Sequence, residues 1–161
     1  MRRTVHFAGA LAGTLALACA LSGQSRDPWF GTWKLNLAES KYSPGPLPIS
    51  TLTKIEPWEG GIKYTVDTVT ANGEERHIEW NGKFDGKDNT VAGNAFVDTN
   101  AVKRVNGHTY RVVAKKDGKV TTITTNVISR DGKKRTATMT GMNAQLTQGD
   151  NLRNVAVFDR Q

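Results

Sequence analysis

The stretch HTYRVVAKKDGKVTTITTNVISRDGKKRTATMTG, residues 108–141, decides the fold. Two Asp-Gly pairs, Asp117-Gly118 and Asp131-Gly132, divide it into three runs rich in Val, Ile, Thr and Tyr. Such pairs tolerate the positive φ angles of tight two-residue turns, and β-branched and aromatic side chains suit a pleated, half-buried surface. The stretch therefore reads as three successive antiparallel strands. In residues 109–116, Tyr110, Val112 and Ala114 alternate with Arg111 and Lys115, giving one apolar and one charged face.

The same punctuation extends toward the N-terminus. Gly60-Gly61, Asn72-Gly73, Asp85-Gly86 and Asn106-Gly107 mark further turns. Between them, Ile62, Tyr64 and Val66 oppose Lys63, Thr65 and Asp67, and Ile78, Trp80 and Phe84 oppose His77, Glu79 and Lys83. Residues 120–129 differ, because Thr121, Thr122, Thr124 and Thr125 fall on both faces; this is expected where a sheet encloses water or a small molecule. Beyond residue 25 no stretch keeps a helical period. Only residues 37–42 suit a helical turn, and SPGPLP at 43–48 stops it. A meander without covering helices must hide its edges, so the reading is all-β: an up-and-down barrel of about 8–10 antiparallel strands, with a two-sheet sandwich as the competitor.

Residues 1–25 stand apart. Arg2 and Arg3 precede an apolar run over residues 7–21 that is too short to span a bilayer, and small residues follow it. This is the pattern of an export signal, with cleavage expected between Ala20 and Ser25, and it predicts a periplasmic or secreted protein. Cys19, the sole cysteine, opens a second reading in which it carries a lipid anchor. Residues 26–161 suit one domain, burying about two-thirds of its extended-chain surface.

The charge is uneven. Residues 103–135 hold ten Lys or Arg against Asp117 and Asp131, whereas residues 24–102 hold 8 basic and 11 acidic side chains. A basic half favours anionic partners, a membrane surface among them. Its only aromatic residue is Tyr110, with an inward phase, so the stacking platform of a single-strand nucleic-acid binder is missing and no nucleic-acid partner is expected.

The first strand carries the resemblance to a known family. FGTWKL, residues 30–35, resembles the opening of the calycin superfamily, the lipocalins and the fatty-acid-binding proteins, in which a Gly-x-Trp lies on the first barrel strand. Gly31 and Trp33 are the matching residues. The hairpins of residues 108–141 and the ending VAVFDR are similar to the late strands of the fatty-acid-binding branch. The resemblance implies a barrel with a cavity for a small hydrophobic molecule. It departs at the carboxylate anchor: the positions matching the family's Arg-x-Tyr pair are Ala156 and Phe158, and a further internal arginine is replaced near Asn126 or Val127. The helical lid is replaced by LAESKYSPGPLPIS. Fatty-acid binding is therefore not carried over.

Combining phase with resemblance, the expected cavity wall is Tyr64, Trp80, Tyr110, Met139 and Phe158, with Arg76 either a polar ligand contact or a rim residue reaching water. Arg153 and Arg160 are candidates to stack on Trp33. His77 and His108 look solvent-facing, and no nucleophile elbow, phosphate loop or metal-ligand spacing is present, so no cofactor, metal or catalytic residue is expected. The functional expectation is an exported, non-enzymatic binder of a small hydrophobic molecule. The alternatives are an envelope protein whose basic hairpins, Lys133, Lys134 and Arg135 among them, meet an anionic surface, and, with least support, a calycin-type cyclase or isomerase.

Overall fold

The computed structural model describes residues 27–142 and 151–161. Its strands are β1 (Gly31–Leu35), β2 (Lys41–Ser43), β3 (Ser50–Trp58), β4 (Gly61–Val69), β5 (Glu75–Lys83), β6 (Asp85–Ala92), β7 (Thr99–Asn106), β8 (Thr109–Lys116), β9 (Lys119–Ile128), β10 (Lys134–Met142) and β11 (Asn151–Arg160). From β3 to β11 each strand pairs antiparallel with the next, and β1 pairs with both β3 and β11. Ten strands thus close into a meander barrel, and the expected sandwich competitor is excluded.

The short β1 covers only part of β11, pairing Trp33 to Arg160 and Leu35 to Phe158. The other part of that edge is taken by β2, with Arg153 opposite Ser43 and Val155 opposite Lys41. Between them the chain turns at residues 36–40, and Ser40 Oγ accepts from Val157 N at 3.0 Å, keeping a ladder donor satisfied through the break. Leu37 lies past the end of β1 and is exposed rather than sharing the buried face of Trp33 and Leu35.

Most turn signals are realised as read. Asp117 (φ 49°) and Gly118 (φ 71°) both take positive φ, as a tight hairpin between β8 and β9 needs. Asp85-Gly86 also marks a reversal: β5 pairs with β6 as Glu79 to Ala92 and Trp80 to Val91, a register centred on this dipeptide, and Gly86 takes φ 76°. On its other side β6 pairs with β7, where the register slips between Asp85 and Asp88 as a bulge.

Turns alternate between two ends. The end holding the β3–β4, β7–β8 and β9–β10 turns is sealed by the segment just before β1. Trp29 is fully buried there, stacked on Tyr110 at 4.2 Å and tilted against Phe84 at 6.4 Å. Trp33 Nε1 donates to Trp29 O at 3.0 Å. Asp27 holds this seal in place: its carboxylate accepts from Trp29 N at 3.0 Å and from the Tyr110 hydroxyl and Arg104. Burial and the Asp27 carboxylate together push the Tyr110 phenol well above its ordinary value. Truncating either buried tryptophan to alanine would cost about 3–5 kcal/mol.

Arg160 closes the same end from outside. It lies 4.2 Å from the Trp33 ring and donates to the carbonyls of Gly132 (2.5 Å), Phe30 (2.6 Å) and Pro28 (2.5 Å). Gly31, at φ 142°, passes directly beneath this guanidinium, where a side chain would collide with it. The aromatic crowding around Gly31 is thus the floor of the barrel.

Candidate functional site

Above the floor the barrel is hollow. A lumen of about 520 Å³ is bounded by inward residues of most strands. Its apolar wall includes Tyr64 and Val66 from β4, Ile78 and Trp80 from β5, and Val112 from β8. Tyr64 and Trp80 stack at 5.2 Å. The polar wall holds Thr51 and Thr53 of β3 and Thr122, Thr124 and Asn126 of β9. The threonine-rich strand with no dry face therefore turns Thr122, Thr124 and Asn126 into the hollow. Toward the open end the lumen meets a recess of about 600 Å³ lined by residues 93–97, and the two share Arg76, Ile78, Met139 and Leu152. Tyr42 and the prolines of residues 44–48 also line the lumen.

Of the residues expected on the cavity wall, Tyr64, Trp80, Met139 and Phe158 line the lumen. Tyr110 does not. Alternation correctly turns it inward, but its position along the barrel axis puts it in the floor against Trp29. Arg76 lines the junction between lumen and recess, half-exposed, with Nη2 2.9 Å from Glu74 Oε2. Gly31 and Trp33 belong to the floor, and Cys19 lies outside the described residues.

One residue of the site was read wrongly. Arg135, expected on an exposed basic hairpin, is 1% exposed and points into the lumen. Its Nη1 donates to Tyr64 Oη at 3.1 Å and to Asn126 Oδ1 at 3.0 Å, and its Nη2 to Thr53 Oγ1 at 3.1 Å. The guanidinium carbon stands 3.9 Å from the centre of the Phe158 ring. Its neighbour Lys134 behaves as expected of a surface lysine, pairing with Glu39 at 2.6 Å and Asp159 at 3.0 Å. The missed signal was phase: Arg135 shares a strand face with Ala137 and Met139, and Met139 was already assigned inward. Charge run overrode alternation in that reading.

Among the described residues no carboxylate pairs with Arg135. Tyr42, also on the lumen wall, has its phenol pushed up from 10.0 by burial and by Tyr64, with Arg135 opposing. Among the described residues no group of three or more His, Cys, Asp or Glu side chains is placed to hold a metal.

No protein-family model and no curated protein matches the sequence. Among solved structures, the crystal structure of zebrafish ileal bile acid-binding protein complexed with cholic acid is similar, with a TM-score of 0.50 at 18% identity, covering 83% of this chain and 99% of that one. Similarity at that level is similarity of fold. The ring of ten antiparallel strands in meander order, closed by the first strand against the last and hollow above an aromatic floor, is what the two folds have in common.

Proposed function

We propose that this chain is an exported, non-enzymatic carrier that holds a small hydrophobic molecule inside its barrel. The observation that carries the reading is the lumen. A protein interior normally packs without voids larger than a water molecule, whereas this one leaves about 520 Å³ between an apolar wall and a few convergent polar groups. The similar barrel was crystallised with cholic acid, a small amphipathic molecule, which supports the same use of the fold. Export rests on the signal pattern of residues 1–25. Mass spectrometry of the natively purified protein tests the whole reading. It should report an N-terminus between residues 20 and 26 and a small molecule released on denaturation. N-phenyl-1-naphthylamine, a neutral apolar probe, should saturate one site. A barrel that takes up no probe and releases nothing overturns the carrier reading.

A second reading, contact with an anionic membrane surface, is favoured by one relationship. Lys103 of β7 and Arg111 of β8 are direct cross-strand partners, both exposed, and like charges in that position repel. Co-sedimentation with phosphatidylglycerol vesicles that weakens with salt and with Lys103→Gln/Arg111→Gln supports it; unchanged co-sedimentation rejects it.

A further inference from the structure

The arginines of this barrel differ in how their charge is met. Arg104 has the Asp27 carboxylate, Arg76 has Glu74, and Arg160 has three backbone carbonyls. Arg135 is more buried than any of them and forms no ion pair with a described residue. Its hydrogen bonds go to a phenol, an amide and a threonine hydroxyl, all neutral. A guanidinium withdrawn from water without a counter-charge is costly, and neutral acceptors together with an aromatic face offset only part of that cost.

The donor inventory is also incomplete. A guanidinium has five N–H donors in a planar fork. Three hydrogen bonds are made to described residues, and Nε–H, fully buried, has no acceptor among them. The Tyr64 hydroxyl accepts from Arg135 and donates to none of the described residues. The guanidinium is part of the lumen wall, although Nε–H itself is closed off. Arg135 is opposite Phe158, and the next inward positions toward the mouth are Ala137 and Ala156, opposite one another. Two alanines there leave the room above the guanidinium unfilled, and both line the lumen.

We infer that the molecule held in the lumen carries an acidic group, which enters first and is received by Arg135 and Tyr64, with the apolar body extending past Ala137 and Ala156 toward Met139 and the mouth. This rests on the carrier reading, and it names an anchor on β10, away from the positions where the resembled family carries its carboxylate anchor. Carboxylate, sulfonate and phosphate share the chemistry required: a compact anion matched to a planar donor fork.

Two probes of the same ring system separate this inference from the reading beneath it: 1-anilinonaphthalene-8-sulfonate and N-phenyl-1-naphthylamine, with and without an acidic group. Full-length mature protein should bind both. Arg135→Met should weaken the sulfonate probe about tenfold or more while leaving the neutral probe within about threefold, and Arg135→Lys should restore part of the loss. Equal affinities of wild type and Arg135→Met for the sulfonate probe, with neutral binding intact, overturn the anion anchor and spare the carrier reading. Binding of neither probe by wild type overturns both. Should the variants fail to fold, wild type alone decides by competition. Decanoate should displace the sulfonate probe at about tenfold lower concentration than decan-1-ol, and equal or reversed potency overturns the inference.

Discussion

The guanidinium of Arg160, the penultimate residue, stands 4.2 Å from the Trp33 ring and fills the space that a side chain at residue 31 would need. First and last strands are thereby coupled twice, through the β1–β11 ladder and through this contact.

Gly31→Ala should destabilise the fold by about 1–3 kcal/mol, because it combines an unfavourable φ of 142° with a collision against Arg160. In an Arg160→Ala background only the backbone penalty remains. A double-mutant cycle followed by urea denaturation should give a coupling of about 0.5–2 kcal/mol. Strict additivity would mean that the guanidinium does not occupy that space in solution.

Alkaline stability should depend on the floor. The Tyr110 phenol is raised above its ordinary value of 10.0 by burial first and by Asp27 second. A raised folded-state value means that the stabilisation is complete below pH 10 and is lost as pH rises from there toward the folded-state value. Thermal melts of wild type should fall over that range. Tyr110→Phe should fall less steeply, and equal slopes would refute the coupling.

Acid sensitivity has a different origin. Hydrogen bonds from Lys134 and then Asn36 hold the Asp159 carboxyl below its ordinary 3.8. A lowered folded-state value contributes stability above the unfolded value that disappears as pH falls from about 3.8 through the folded-state value. Asp159→Asn should therefore show a shallower loss of melting temperature on acidification below pH 4, and a modest loss at pH 7 because the pair is solvent-exposed. The same acid slope in both proteins would assign the sensitivity elsewhere.

Filling the hollow should separate stability from binding. Ala156→Leu puts three further carbons into the lumen opposite Ala137, and it should raise stability by about 0.5–2 kcal/mol while reducing probe uptake about tenfold. Unchanged uptake would place the binding site outside the lumen.

Local chemistry in the sequence determined the strands, their order and most of their faces. Turn dipeptides and side-chain alternation act between residues close along the chain, so Ile62, Trp80 and Met139 could be turned inward without knowing their neighbours. Gly31 and Trp33 on the first strand were legible for the same reason. Tertiary structure decided what depends on closure. Alternation sets the side of a strand but not its height, so Tyr110 belongs to the floor while Val112, two residues on, faces the hollow. It also decided Arg135. A charge within a basic run is ordinarily solvated, and this one lies inside because Thr53, Tyr64 and Asn126, brought together from β3, β4 and β9, supply acceptors that no local stretch contains.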